Sequence, residues 1–274
     1  MKEKNILITG ASGFIGARLY ESLKESNPFG LTRQERLIKE KNLVKCDLTN
    51  QIELKKIIRD INPDIIYHFA ALTNPQRNEN NPEEAKALNV GITNNLLKAI
   101  DSLNTHIIFL STDKVFDGSE SYPNETSETN PLWVYGSFKL ECEKIIEQNL
   151  KKFHIIRLPI VHSMGERKNT SFIDEALINL RNGHQVNAFD NVKRCYIMLD
   201  ELTEFLKKLI DCSHYGTYHA GSEMMSYYER ISMLCKENGI AVNGMLVPVE
   251  GNAKPITQNL NTDKIQRLLN VRFS

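Results

Sequence analysis

Tyr135-Gly136-Ser137-Phe138-Lys139 sets a phenol and an ammonium four residues apart, which on a helix means one face. A cation beside a phenol stabilises the phenolate and can draw its pKa down from about 10. A tyrosine tuned in that way can protonate a carbonyl oxygen while hydride arrives at carbon. An exposed helix pair gives the same pattern, so a second feature has to support the reading. Ser111-Thr112-Asp113 follows directly on the apolar run His106 to Leu110. Ligands of parallel sheets gather beyond the carboxyl ends of the strands. There the Thr112 hydroxyl could share the carbonyl oxygen with Tyr135 and stabilise a developing alkoxide.

A second chemical feature lies near the amino terminus. Ile6-Leu7-Ile8-Thr9 runs into Gly10-Ala11-Ser12-Gly13-Phe14-Ile15-Gly16, with helical spacing after it through Leu19 and Leu23. Glycines in such a turn allow a tight bend, close approach of backbone to a pyrophosphate, and close packing of helix on strand. The helix amino terminus then offers free N–H groups and a positive dipole end to the anion. The setting between an apolar strand and a helix predicts dinucleotide binding by Gly10, Ser12, Gly13, Phe14, Ile15 and Gly16. After the second strand an acid would accept from a ribose hydroxyl, whereas an arginine would pair with a 2′-phosphate. Phe29-Gly30-Leu31-Thr32-Arg33 has no acid at its end and carries Arg33. NADP(H) is therefore favoured, with NAD(H) the alternative if Arg33 is only a solvated surface charge.

The elements that must position these groups read as alternating strands and helices. Strands are expected at Asn5 to Thr9, Phe29 to Thr32, Leu43 to Cys46, Ile65 to Phe69, His106 to Leu110 and Phe153 to Arg157. The last four are apolar without alternation, as in a sheet covered on both faces. Asn50 with Glu53, and Asn81-Pro82 with Glu84, carry capping-box spacing. The helices they open show core faces at Ile52, Ile57, Ile58 and at Leu88, Ile92, Leu96, Ile100. Beyond Leu158 frequent glycines punctuate shorter elements. The expected fold class is α/β: a Rossmann-type doubly wound parallel sheet with a smaller C-terminal α/β substrate lobe. The dinucleotide domain is expected over 1–160, rejoined by about 186–212, and the discontinuous lobe mainly over 161–274.

Charge and cysteine usage narrow the partners. With 34 basic and 34 acidic side chains among 274 residues the net charge is zero. No global field then draws the protein to nucleic acid or to an anionic membrane. Five cysteines, odd in number and without a C-x-x-C pair, argue against a disulfide framework or a zinc site. A charged start and the absence of a long apolar run lead to a cytoplasmic expectation.

The turn Thr9-Gly10-x-x-Gly13-x-x-Gly16 resembles that of the extended short-chain dehydrogenase/reductase family, and Thr112, Tyr135 and Lys139 match its Ser/Thr, Tyr and Lys triad. Ser111-Thr112-Asp113-Lys114-Val115-Phe116-Asp117-Gly118 is similar to a segment of dTDP-4-dehydrorhamnose reductases and their relatives. Further likeness lies in Tyr218-His219-Ala220, in Lys254-Pro255 and in Leu260-Asn261-Thr262-Asp263-Lys264. The resemblance implies that Lys139 also binds the nicotinamide ribose, that Asp47 and Leu48 meet the adenine, and that Phe69, Ala70 and Ala71 line the cofactor. Asn89-Val90-Gly91 resembles the family's kinked helix behind the site. Substrate contacts are implied for Thr73, Asp113 and Lys114, and for Arg194, which resembles an arginine that meets the substrate pyrophosphate. A bland reading of Asp47 is a turn residue, and of Arg194 a surface charge.

The activity implied is NAD(P)H-dependent reduction of a nucleotide-linked 4-keto-deoxysugar, in polysaccharide biosynthesis, with Tyr135 as general acid and a homodimer allowed. Lys114 departs from the tyrosine usual there, and Leu158-Pro159-Ile160-Val161 departs from a Thr-Ser-Trp pattern. Ala17 and Arg18 stand where some of these reductases carry an acid for metal-assisted dimerisation, so no metal is expected. Lys114 in place of a glutamate also speaks against a 4,6-dehydratase. An NAD-dependent nucleotide-sugar epimerase remains an alternative, as does a non-catalytic dinucleotide-binding regulatory subunit, since such proteins share the Val115 to Gly118 stretch.

Overall fold

Short, β-branched apolar runs build a central sheet from Ile6–Thr9 (β1), Phe29–Thr32 (β2), Leu43–Lys45 (β3), Ile65–His68 (β4), His106–Thr112 (β5) and Phe153–Leu158 (β6). All six expected strands are present, with ends displaced by a residue or two. The computed structural model describes residues 4–34, 42–100, 104–165, 171–251 and 259–274. The strand order β3-β2-β1-β4-β5-β6 is completed by Gly216–His219 beyond β6, and the pairings from β3 through β5 are parallel. Chain order reverses between β1 and β4, which is where a doubly wound sheet opens a crevice for a ligand.

Crossover helices cover the sheet: Phe14–Ser22 (α1), Gln51–Ile61 (α2), Pro75–Asn80 (α3), Pro82–Lys86 (α4), Ile92–Ala99 (α5) and Val134–Asn149 (α6). The core beneath them joins Leu7, Ile66, Ile107, Phe109 and Ile155 of the strands to Leu54, Ile58, Leu96 and Ile146 of the helices. Asn50 caps α2 as its spacing predicts, accepting from the Glu53 amide at 3.2 Å. Ile52 does not join the core. It is 86% exposed, because at the second position of α2 it precedes the face formed by Leu54 and Ile58. The capping box expected at Asn81 is likewise not formed: its side chain makes no cap, and Glu84 pairs instead with Arg77. Asn74 caps the preceding α3, accepting from the Arg77 amide at 2.8 Å.

The chain divides into two compact units. The first comprises Met1–Val115, Thr129–Arg157 and Thr203–Tyr218; the second comprises Phe116–Glu128, Leu158–Leu202 and His219–Ser274. The returning segment is thus 203–218 and not 186–212. Tyr67 of β4 anchors it by donating to the Leu206 carbonyl at 2.9 Å.

The second unit contains Ile160–His162 (β7), Phe172–Arg181 (α7), Val186–Phe189 (β8), Lys193–Arg194 (β9) and Tyr196–Met198 (β10). Leu199–Lys208 (α8) leads back to the first unit, where Gly216–His219 is β11. Met225–Ser226 (β12), Tyr227–Glu237 (α9), Leu246–Val249 (β13) and Asp263–Leu269 (α10) complete the second unit. Strand pairs β7 with β10 and β8 with β13 are parallel, and β9 with β12 is antiparallel. Packing centres on Leu177, Leu180, Ile231 and Leu234 of α7 and α9. Among the described residues no helix is long and apolar enough to cross a membrane, and no group of three or more His, Cys, Asp and Glu could hold a metal ion.

Candidate active site

The glycine turn is shaped by close approach. Gly10 has φ +70°, and a Cβ there would lie 2.8 Å from the Ala70 amide nitrogen, so β1 and β4 leave the sheet in contact at the reversal point. A Cβ on Gly16 would sit 2.2 Å from the Gly10 carbonyl oxygen, which only glycine permits. Gly13 opens α1 in extended conformation and no side chain caps the first turn, leaving the amides of Phe14, Ile15 and Gly16 as the helix's orphan donors. Ser12 accepts from the Thr32 hydroxyl at 2.9 Å and so ties the turn to the end of β2. This cradle fits a diphosphate by backbone donors, helix dipole and lack of side-chain bulk.

A buried chain of hydrogen bonds fixes the turn after β4. The Thr93 hydroxyl donates to the Asn89 carbonyl at 2.8 Å and meets His68 Nε2 at 3.0 Å, so that nitrogen carries the proton. His68 Nδ1 is then free to accept from the Thr9 hydroxyl at 2.9 Å, and Thr9 Oγ1 accepts from the amides of Phe69 and Ala70, each at 3.2 Å. Burial holds His68 down to about 3, so this wiring rests on a neutral imidazole. Asn89 sits in a π-helical segment, Ala87–Gly91, between α4 and α5, and its Oδ1 accepts from the Leu72 amide at 3.1 Å. Such one-turn widenings mark functional sites. Here the widening aims Asn89 at the loop that follows Ala70 and Ala71.

Thr112 ends β5, and the turn Asp113–Val115 follows it. Gly136 lets α6 settle on that turn: a Cβ there would lie 2.2 Å from the Lys114 carbonyl oxygen. The α6 amino terminus is capped from α3, Glu79 accepting from the Val134 amide at 2.9 Å. Tyr135 and Lys139 lie one turn apart on α6, and Lys139 is held against β5. Their electrostatics differ from the expectation. The Lys139 ammonium donates to the Leu110 carbonyl at 2.8 Å and lies 4.4 Å from the Phe109 ring centroid and 5.9 Å from that of Tyr135. It is turned to the strand, and burial pulls it down to about 8. The Tyr135 phenol is pushed above its ordinary value, first by burial and then by the Asp113 charge. A phenol of that kind is a proton donor at neutral pH.

Thr112 donates to Asp113 Oδ1 at 3.0 Å and accepts from the Lys114 amide at 3.2 Å. Asp113 is buried and turned to Thr112, while the Lys114 Nζ lies 5.7 Å from the centroid of Trp133. Thr73 is exposed just before Asn74. Asp47 forms a turn: its Oδ1 accepts from the amide and hydroxyl of Thr49, which hold the carboxyl below its usual range, with Arg33 adding to the effect. Leu48 is in the core. Arg33 is exposed past β2, and Arg194 lies on β9 in the second unit. Lys254 and Pro255 fall outside the described residues.

Sequence reasoning missed the support beneath Lys139. Glu143, one helical turn on, is buried; it accepts from Ser111 Oγ and pairs with Arg157 of β6 at 2.8 Å. The i,i+4 step from Tyr135 to Lys139 to Glu143 was the available signal.

The RmlD substrate binding domain description matches residues 4–272. The chain belongs to this family. Over 282 aligned residues, 97% of this chain and 82% of the relative, it is 28% identical to methionine adenosyltransferase 2 subunit beta of Bos taurus. It is 33% identical to dTDP-4-dehydrorhamnose reductase of Salmonella typhimurium over 169 residues, 58% of this chain and 52% of that protein. Among solved structures, the dTDP-4-dehydrorhamnose reductase of Bacillus anthracis in complex with NADP superposes with a TM-score of 0.85 at 22% identity, covering 99% of this chain and 95% of that one. UDP-glucose 4-epimerase of Thermotoga maritima gives 0.84 at 17% identity, with 98% and 94% covered. At these identities the structural likeness is one of fold.

Proposed function

We propose that this RmlD-family protein reduces a keto group on a nucleotide-linked deoxysugar, using a nicotinamide dinucleotide held by the Gly10 to Gly16 turn. What supports this reading is the seating of α6 on the Asp113–Val115 turn through Gly136, the residue next to Tyr135, together with the Lys139 ammonium on the Leu110 carbonyl of β5. Bound there, the dinucleotide supplies hydride. Tyr135, protonated at neutral pH, gives its proton to the carbonyl oxygen as negative charge develops on it. Thr112 is the second donor to that oxygen, once its hydroxyl turns from Asp113. Lys139 keeps a positive charge close to the phenol, and its amine serves the nicotinamide ribose. Arg33, exposed beyond β2, favours NADPH over NADH.

The test is oxidation of NADPH and NADH by the full chain with a panel of 4-keto nucleotide sugars. Turnover with at least one, lowered by about 10²-fold or more in Tyr135→Phe at unchanged dinucleotide affinity, is the expected result. Undiminished turnover in Tyr135→Phe overturns the reading. A second reading, a non-catalytic dinucleotide-binding subunit, is favoured by the near full-length match to an adenosyltransferase beta subunit. It predicts dinucleotide binding without turnover across the panel, together with a changed activity of a partner enzyme that Tyr135→Phe leaves intact.

A further inference from the structure

Arg230 of α9 is 0% exposed, inside the core of the second unit. Its Nε and Nη2 meet His162 Nε2 at 3.1 and 2.9 Å, while His162 Nδ1 faces the Ser163 carbonyl at 2.9 Å. His162 is therefore an uncharged acceptor and brings no counter-charge. Among the described residues no carboxylate forms an ion pair with Arg230, and Glu201 and Glu237 act on it only from a distance. Asp174, a buried acid whose charge reaches His162, accepts from the Ser163 amide and hydroxyl, the Gly165 amide and the Ser171 hydroxyl.

Two buried polar atoms of this cluster have no hydrogen-bond partner among the described residues: Arg230 Nη1 and the hydroxyl of Tyr196. The two side chains are neighbours, with Arg230 Cζ 5.7 Å from the Tyr196 ring centroid. A guanidinium stays charged in a protein, and a buried charge without an opposite charge is strongly destabilising. A water molecule would satisfy a donor but leave the charge uncompensated. Two donors, one guanidinium nitrogen and one hydroxyl, suit a single-atom anion better than a polyatomic one, whose several oxygens would each need a partner when buried. We propose that Arg230 Nη1 and the Tyr196 hydroxyl hold a small monovalent anion of the halide class inside the second unit.

Thermal unfolding of the full chain at constant ionic strength, with chloride or bromide exchanged stepwise for gluconate, tests this. A ligand that binds only the folded state raises Tm in a concentration-dependent way. The expected result is a rise that saturates in both halides, disappears in Arg230→Met, and needs several-fold more halide in Tyr196→Phe. A crystal grown in bromide should show an anomalous peak within hydrogen-bonding reach of Nη1. Equal Tm in halide and gluconate, or an unchanged halide response in either variant, overturns the proposal, as does a bromide crystal with only water there. If Arg230→Met fails to fold, Tyr196→Phe and the bromide crystal decide.

Discussion

His68, His106, His154 and His162 are all buried as neutral, hydrogen-bonded bases, so a modest fall in pH perturbs the fold at four places together. Burial holds them down to about 3, 3, 4 and 4 respectively, while an unfolded chain titrates its imidazoles near ~6.5. With the folded value below the unfolded one, the unfolded chain binds protons that the native state refuses. Stability is then complete above about pH 6.5 and is lost as the pH falls through the window below it. Between about pH 7 and pH 5 each histidine should remove roughly 2 kcal/mol. His106 and His154 form one hydrogen-bonded pair at 2.6 Å and titrate together, so the shares do not simply add, but the combined loss is still on the order of several kcal/mol, a large part of an ordinary domain's stability.

Urea unfolding at several pH values in this window measures the effect directly. The midpoint should fall with pH at constant m, with a slope near pH 5.5 of about 1 kcal/mol per pH unit for an uncoupled histidine such as His68. His68→Gln should flatten that slope by one group's share. It should also weaken dinucleotide binding, because Thr9 would lose the partner that orients its contacts to the Phe69 and Ala70 amides. A stability curve level from about pH 7 to pH 5 would refute the reasoning, since no protonation difference would then separate the two states.

Gly136→Ala should separate α6 from the Asp113–Val115 turn, because its Cβ meets the Lys114 carbonyl at 2.2 Å; about 1–3 kcal/mol of stability and most turnover should be lost, read by unfolding and by NADPH oxidation. Glu143→Gln removes the Glu143 charge from the buried Arg157 guanidinium and should cost about 3–5 kcal/mol in urea unfolding. Asp113→Asn removes the charge that helps to push the Tyr135 phenol up, so spectrophotometric titration should find that phenol ionising at lower pH than in the parent protein.

Much of the first unit is legible because its signals are local. The strands are short apolar runs, the glycine turn must be glycine at Gly10 and Gly16, and a four-residue spacing suffices to align Tyr135 with Lys139. Where the reading went wrong, a distant partner decided. Glu84 has the right spacing for a capping box with Asn81, yet Arg77 offers a full opposite charge, which a backbone amide cannot match. Ile52 has helical spacing to a core residue, but the sheet lies under Leu54 and Ile58. The Tyr135 phenol is the clearest case. Four residues of sequence fix how near Lys139 lies to it, but the Leu110 carbonyl decides where the ammonium points, and that carbonyl is recruited only when α6 packs on β5.

Under the proposed function, that geometry also bears on the direction of chemistry. A phenol lowered by a facing ammonium would rest partly as phenolate, a base suited to removing a proton from a hydroxyl. Here the ammonium is satisfied by the β5 backbone, and the Asp113 charge opposes ionisation of Tyr135. The resting phenol is therefore an acid, which under the proposed function suits giving a proton to a carbonyl and so the reductive direction. Lys139 can take up the opposite role only by leaving the Leu110 carbonyl, and that exchange costs a buried, charge-assisted hydrogen bond. The rate of alcohol oxidation should accordingly climb with pH over a range set by the phenol, well above the range in which ketone reduction runs. Superimposable pH profiles for the two directions would contradict this account of Tyr135.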